Sequence, residues 1–185
     1  MNKVLLFFIL GIQFGFAQAP NPLSFKDRLY YGGNVGLGFG GGGGVSAFYA
    51  ELSPMLGYMI TDKLSVGPGL INQYKYQKFN LSPGKFQEFN SYNYGIRFFG
   101  RYQLFPAFFL HGEYETLSYN YLSLNQSSLE IEQNRRIVEA LFVGGGYRSY
   151  MSARTAIDLS LLFNLNDNRY SPYPNPIFRV GLVFM

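Results

Sequence analysis

From residue 29 onward, bulky apolar side chains alternate with small or polar ones, the period-two signature of strands with two unlike faces. No window carries a sustained apolar stripe at i, i+3, i+4, i+7, so no amphipathic helix is expected. The pattern predicts eight strands, over residues 29–39, 46–60, 64–77, 89–104, 107–121, 136–147, 155–165 and 177–185. The fourth is the clearest. Tyr92, Tyr94, Ile96, Phe98, Tyr102 and Leu104 face one way; Asn93, Gly95, Arg97, Arg101 and Gln103 face the other. In the sixth, Val138, Ala140 and Phe142 are set against Glu139, Leu141 and Gly145. In the eighth, Phe178, Val180, Leu182 and Phe184 oppose Arg179 and Gly181.

The connections alternate in length. Tight turns are expected at residues 61–63, at Phe105-Pro106 and around 151–154, and longer loops at 40–44, 78–88, 122–135 and 166–176. Short turns at one end and long loops at the other suit an antiparallel up-and-down barrel of the outer-membrane kind.

Composition decides which face is outside. Of the 185 residues, 48% are hydrophobic, 19% aromatic and only 14% charged, against about 25% charged in an ordinary soluble domain. The lumen of an eight-stranded barrel holds little more than its own side chains, so about five bulky residues per strand cannot enter it. The other face is mostly Gly, Ser and Asn with one or two charges per strand, not the Lys- and Glu-rich surface of a solvated sheet. The apolar face is therefore expected to meet lipid, and the small polar face to fill the lumen. A closed barrel also pairs every backbone group, as hydrocarbon demands. The fold class expected is all-β: an eight-stranded transmembrane β-barrel with a filled polar lumen over residues 29–185.

The N-terminus agrees. Lys3 precedes the apolar run from Val4 to Leu10, which fades into Ala17-Gln18-Ala19, the plan of a secretory signal peptide over residues 1–18. Residues 19–28 then form a periplasmic lead-in, either a tether or a loose segment. The absence of Cys excludes a lipoprotein, a disulfide framework and a thiolate metal site. Removal of residues 1–18 takes only Lys3 from a net charge of +4, so nothing points to nucleic acid. No cofactor is expected. Gly36-Leu37-Gly38-Phe39-Gly40-Gly41 fits the dinucleotide pattern G-x-G-x-x-G, but a strand follows it where that fingerprint needs a helix.

The alternating strands, the export signal and the ending Val183-Phe184-Met185 together resemble the small eight-stranded outer-membrane barrels, the superfamily that includes the transmembrane domain of outer membrane protein A. The resemblance covers the whole mature chain. It implies residence in a bacterial outer membrane among lipopolysaccharide and phospholipid, and insertion by the barrel-assembly machinery, with Phe184 and Met185 as the assembly signal. That family's terminal residue is usually Phe; here the aromatic stands one place earlier. No further soluble domain is expected after the eighth strand.

Candidate site residues fall into two groups. Glu51, Lys75, Arg97, Arg101, His111, Glu113, Glu115, Glu139, Asp158 and Arg179 all face the lumen on this register, and buried charges must pair. A salt-bridge plug is expected, and the functional alternatives are an ion path or proton relay. His111, the single histidine, has Glu113 and Glu115 as orienting partners for a serine-type arrangement. The resemblance includes lipid-modifying barrels, some of which use a Ser-His-Glu set at the outer leaflet. Here His111 lies near a periplasmic turn, with no Ser two residues away on its face. One His without Cys supports no metal site. Tyr58, Tyr74, Tyr76, Tyr92, Tyr94 and Tyr102 gather near strand ends as an interfacial aromatic belt or a partner surface. The function expected is non-enzymatic: a structural or accessory subunit of a larger outer-membrane complex for secretion, barrel assembly or uptake. A lipid-modifying enzyme and a narrow pore are the alternatives.

Overall fold

The structure, a computed structural model, describes residues 24–42, 45–82, 85–125, 130–167 and 171–185. The expected signal peptide lies outside the described residues. Eight strands appear among those described: β1 (Leu29–Gly42), β2 (Val45–Met59), β3 (Leu64–Ser82), β4 (Lys85–Phe105), β5 (Phe108–Asn125), β6 (Glu130–Tyr150), β7 (Thr155–Asn164) and β8 (Ile177–Phe184). Each pairs antiparallel with its sequence neighbours, and β8 returns to β1 to close the barrel. The eight-stranded up-and-down architecture read from the alternation is therefore the fold.

Three expected loops prove to be strand where they are described, the first because β1 runs on through Gly40, Gly41 and Gly42. Residues 78–82 and 85–88 continue the β3–β4 hairpin, with Lys78 opposite Glu88 and Phe79 opposite Gln87. Residues 122–125 and 130–135 likewise belong to β5 and β6, with Leu122 opposite Gln133. Their polar composition removed the alternation, but cross-strand pairing does not need an apolar face. β3 to β6 thus run 18 to 21 residues, whereas β7 and β8 have 10 and 8. The hairpin end of the wall is tall on one side and low on the other.

The opposite end is tied by tight turns. The Thr61 hydroxyl accepts from the backbone N–H of Leu64 at 2.9 Å, and the Gln103 amide donates to the carbonyls of Phe105 and Pro106 at 2.7 and 2.8 Å. The described part of the lead-in is not loose. It forms a 3-10 turn (Lys26–Arg28), from which the Arg28 guanidinium donates to the Ile60 carbonyl at 3.0 Å. Phe25 packs on Tyr58 with ring centroids 5.3 Å apart.

Burial is inverted relative to a water-soluble barrel. Leu52, Phe98 and Phe178 stand outward with about three-fifths of their surface exposed, while Arg97, Glu115 and Asp158 face inward at 1%. Aromatic side chains bound the outward apolar band at both ends. Near the turns lie Tyr58, Tyr102, the Tyr31–Phe184 pair and the Phe108–Tyr147 pair. Toward the hairpin end a line of rings runs Phe39–Phe48–Tyr74–Tyr92 across β1 to β4. Ten residues separate Tyr58 from Phe48 on β2, and Tyr102 from Tyr92 on β4. At about 3.3 Å per residue and a tilt of about 40°, ten residues rise about 25 Å, the height of a lipid-facing band.

The facing of β6 differs from the one expected. On β6 the inward row is Ala140, Phe142, Gly144, Gly146 and Arg148, with Ala140 and Phe142 buried, while Leu141, Val143 and Glu139 point outward. Glu139 is therefore not a luminal charge. Both rows of β6 contain apolar residues, so alternation alone did not choose between them. Phe142 takes the inside because Tyr173 and the Arg179 guanidinium cover it. The lumen is also less uniformly polar than expected. Tyr30, Met55, Phe99 and Val183 form an apolar cluster at the turn end, and Ala140, Phe142, Leu162 and Ile177 form a second toward the mouth.

Candidate functional site

Between those two clusters lies a network of buried charges, assembled by register. Arg97 stands opposite Glu115, Arg101 opposite His111, and Arg148 opposite Asp158 on neighbouring strands. Because every second residue points inward, Glu113 and Glu115 project side by side from β5. The Arg179 guanidinium on β8 spans both: Nη2 donates to Glu115 Oε1 at 2.7 Å, and Nη1 donates to Glu113 Oε1. One planar fork thus ties two strands that are not neighbours in the sheet, a geometry suited to arginine and not to lysine.

Arg97 fills the centre. Its Nη2 donates to the Ser53 carbonyl at 3.0 Å, and Nη1 lies 3.6 Å from Glu113 Oε2. Asn34, with its amide oxygen turned toward the guanidinium, accepts from Nη1 at 2.9 Å and Nη2 at 3.3 Å. Nearer the turns, Arg101 is held between the rings of Phe99 and Phe109, 5.1 and 5.0 Å from their centroids, and donates to Asp158 Oδ2 at 2.8 Å. Arg148, which the sequence reading passed over, grips the same carboxylate through two bonds. Continuing the β6 alternation through Gly144 and Gly146 would have found it.

His111 has a defined tautomer. The Arg101 Nε–H donates to its Nδ1 at 3.1 Å, so that nitrogen carries a lone pair, and Nε2–H faces Glu113 Oε2 at 3.2 Å. The ring stacks on Phe99 and meets Phe109 edge-on. Both nitrogens are thus occupied by network members.

The remaining predicted residues sit apart from this centre. Glu51 faces inward but is bound by neutral partners: the Tyr49 hydroxyl, the Ser53 hydroxyl at 2.7 Å and the Gln73 amide at 3.3 Å. Lys75 stands on the inward row of β3, opposite Tyr49 and Ser91, and enters none of the ion pairs among the described residues. Tyr173 was also missed. It comes from the proline-rich segment before β8 and packs edge-on against Phe142. Its hydroxyl and Glu115 Oε2 are buried without a hydrogen-bond partner among the described residues.

On the outer face, Tyr74 and Tyr92 are 5.7 Å apart, the Tyr74 hydroxyl donates to Asn90 Oδ1 at 2.7 Å, and Arg135 lies over the Tyr94 ring at 5.0 Å. Tyr58 and Tyr102 stand at the turn end, while Tyr76 lies above the band on β3. At the C-terminus Phe184 faces outward against Tyr31, and the Met185 backbone N–H donates to the Arg154 carbonyl at 2.9 Å. No metal-holding cluster of His, Asp and Glu exists among the described residues.

No family model matches the chain, and no curated protein matches it. Solved structures similar to it include the N-terminal β-barrel domain of Pseudomonas aeruginosa OprF, with 11% identity over 85% of this chain and 96% of that one, at a TM-score of 0.43. Another is the Yersinia pestis outer membrane protein Ail in a phospholipid bilayer nanodisc, with 13% identity, 84% and 96% coverage and a TM-score of 0.39.

Proposed function

We propose that this chain is an integral barrel of a bacterial outer membrane, and that it works as a non-conducting, non-enzymatic structural or accessory subunit of a larger outer-membrane assembly. The observation that carries the reading is the placement of Arg97, Arg101, Arg148 and Arg179 against Glu113, Glu115 and Asp158 inside an apolar-walled cylinder. Buried ions of both signs that pair with one another leave no row of free charges for a permeating ion to follow. With the interior so filled, only the wall and the rims remain for interaction. His111 gives the enzyme reading no support, because Arg101 and Glu113 hold both of its nitrogens.

The bilayer reading rests on the apolar band, about 25 Å tall between aromatic residues. The tight turns then lie in the periplasm and the tall β3–β6 hairpins outside the cell. Export by residues 1–18, recognition of Phe184 and Met185 by the barrel-assembly machinery, and contact with lipopolysaccharide and phospholipid belong to the same proposal.

Gentle detergent extraction of the tagged chain from its own membranes tests the accessory role, with a stoichiometric co-eluting protein expected. A barrel that elutes alone removes that role. Purified barrel in planar bilayers should give no steady conductance, and stable openings would reinstate the pore. Mass measurement of the mature chain locates the cleavage site.

A further inference from the structure

Glu139 breaks the pattern of the outer wall. Its side chain is exposed and makes no hydrogen bond or ion pair among the described residues, while its backbone carbonyl accepts from the Asn166 amide at 3.3 Å. It stands eight residues above Tyr147 on β6, about 20 Å up a band about 25 Å tall. Among the described outward-facing residues of that band it is the one ionised side chain.

Its surroundings are unusual in the same direction. Register places Glu139, Thr116, Ile96 and Leu70 in one row across β6 to β3, and Ile137, Ser118, Tyr94 and Asn72 in the row above. Between the rows runs an open groove of about 380 Å³. The line of rings that borders the band on β1 to β4 ends at Tyr92. Ser118 and Ile137 stand at the corresponding level on β5 and β6, ten residues above Phe108 and Tyr147. The sector without the aromatic border, on β5 and β6, is therefore the one that carries Thr116 and Glu139 on its outer face, with the Asn72 amide on β3 across the groove. Acyl chains satisfy none of these groups, and ionisable side chains facing hydrocarbon are costly unless paired.

We propose that this β3–β6 groove, together with Glu139 beside Thr116 on β6, is the contact surface for a membrane-embedded segment of a different protein that presents a lysine or arginine to Glu139. The proposal rests on the accessory-subunit reading and names its surface. A second copy of this chain does not fit. No outward residue of the described band is Lys or Arg, and the nearest outward cation, Arg135, is engaged with the Ser118 hydroxyl at 3.0 Å and the Tyr92 carbonyl at 2.9 Å. Polar side chains of a partner would satisfy Asn72 and Thr116 along the groove, and the countercharge fixes the register of the contact.

The test places a photo-crosslinking amino acid at Ile137 in the full chain, in its native membrane, with the same substitution at outward Leu161 as the control. One protein adduct is expected at 137 and none at 161, with the crosslinked peptide lying in a membrane segment that carries Lys or Arg. Glu139→Leu should cut that adduct about tenfold while Glu139→Asp keeps it, since loss of one paired charge in the membrane is worth at least that factor. Both variants should retain the wild-type shift in gel mobility on boiling, because the side chain lies outside the packed interior. An adduct of twice the chain's mass, a lipid adduct alone, equal labelling at both positions, or insensitivity to Glu139→Leu overturns the proposal. If the chain co-purifies with a stoichiometric partner yet labels only at 161, this surface is wrong and the accessory role stands. If nothing co-purifies and neither position labels, both fail.

Discussion

Arg148 holds Asp158 in a two-pronged grip, Nε to Oδ1 at 2.7 Å and Nη2 to Oδ2 at 2.9 Å, across the directly opposed positions of β6 and β7. The same carboxylate takes a third bond from Arg101 on β4. One buried anion thus serves two cations from different sides of the lumen.

Asp158→Ala leaves both guanidiniums without a countercharge. Removal of one partner from a buried ion pair costs about 3–5 kcal/mol, so the variant's denaturation midpoint in detergent, followed by gel mobility, should fall well below wild type. Arg148→Met, which leaves Arg101 on the carboxylate, should fall by less. Indistinguishable midpoints for wild type and Asp158→Ala would mean that the network contributes no stability.

Leu52 tests the orientation of the wall. It faces outward with 63% of its surface exposed, between Phe48 and Tyr58 on β2. An arginine near the middle of a lipid-facing band costs about 2–4 kcal/mol. Leu52→Arg should therefore destabilise the barrel by that amount in lipid vesicles. A barrel that met water on this face would gain solubility and lose nothing.

Two kinds of glycine should respond in opposite ways. A methyl at Gly57 would lie within the Tyr30 ring, whose hydroxyl hydrogen-bonds Ser65 at 2.9 Å. Gly57→Ala must displace that ring, at about 1–3 kcal/mol. Gly100 and Gly112 are paired across β4 and β5 and face outward, with nothing within 4 Å of an added methyl. Alanine there should be neutral or slightly stabilising in the same unfolding assay, and an equal loss at all three sites would contradict the packing described.

Above the band, Lys78 and Glu88 form an ion pair at 3.0 Å on the β3–β4 hairpin. The hydrogen bond from Lys78 is the main cause that holds the Glu88 carboxyl below its ordinary range, and the bond to Glu88 likewise raises the Lys78 amine. A lowered acid stabilises the folded hairpin above its unfolded pKa of about 4.3 and loses that contribution as pH falls through the folded value; a raised amine contributes below about 10.4 and loses its share as pH rises through the folded value. Protection of the hairpin amides, the exchange rate taken relative to the unstructured rate at each pH, should be greatest between those limits, lower at both extremes and lower in high salt, since the pair is open to solvent. A flat profile in Glu88→Gln is the control, and a flat wild-type profile would discard the effect.

Much of this was readable along the chain. Tyr92 to Leu104 alternate so regularly that β4, its lipid face and the inward direction of Arg97 and Arg101 follow from residue order. The β6 faces were not readable, because Ile137, Leu141 and Val143 on one row compete with Val138, Ala140 and Phe142 on the other. Glu139 went to the wrong side for that reason, and Arg148 lay just beyond the expected strand end. The long hairpins were obscured by polar residues that pair through their backbones.

Alternation is a local property: the pleat sends successive side chains to opposite faces whatever lies beyond. Residue order therefore determined the eight strands, and its shortage of charge with an excess of Phe and Tyr determined that the greasy face looks out. Which ions meet was decided only when the sheet closed. The bridge from Arg179 to Glu113 and Glu115 joins residues more than sixty positions apart through strand stagger, and Tyr173, just before the short β8, reaches Phe142 on β6, a strand that β8 does not pair with.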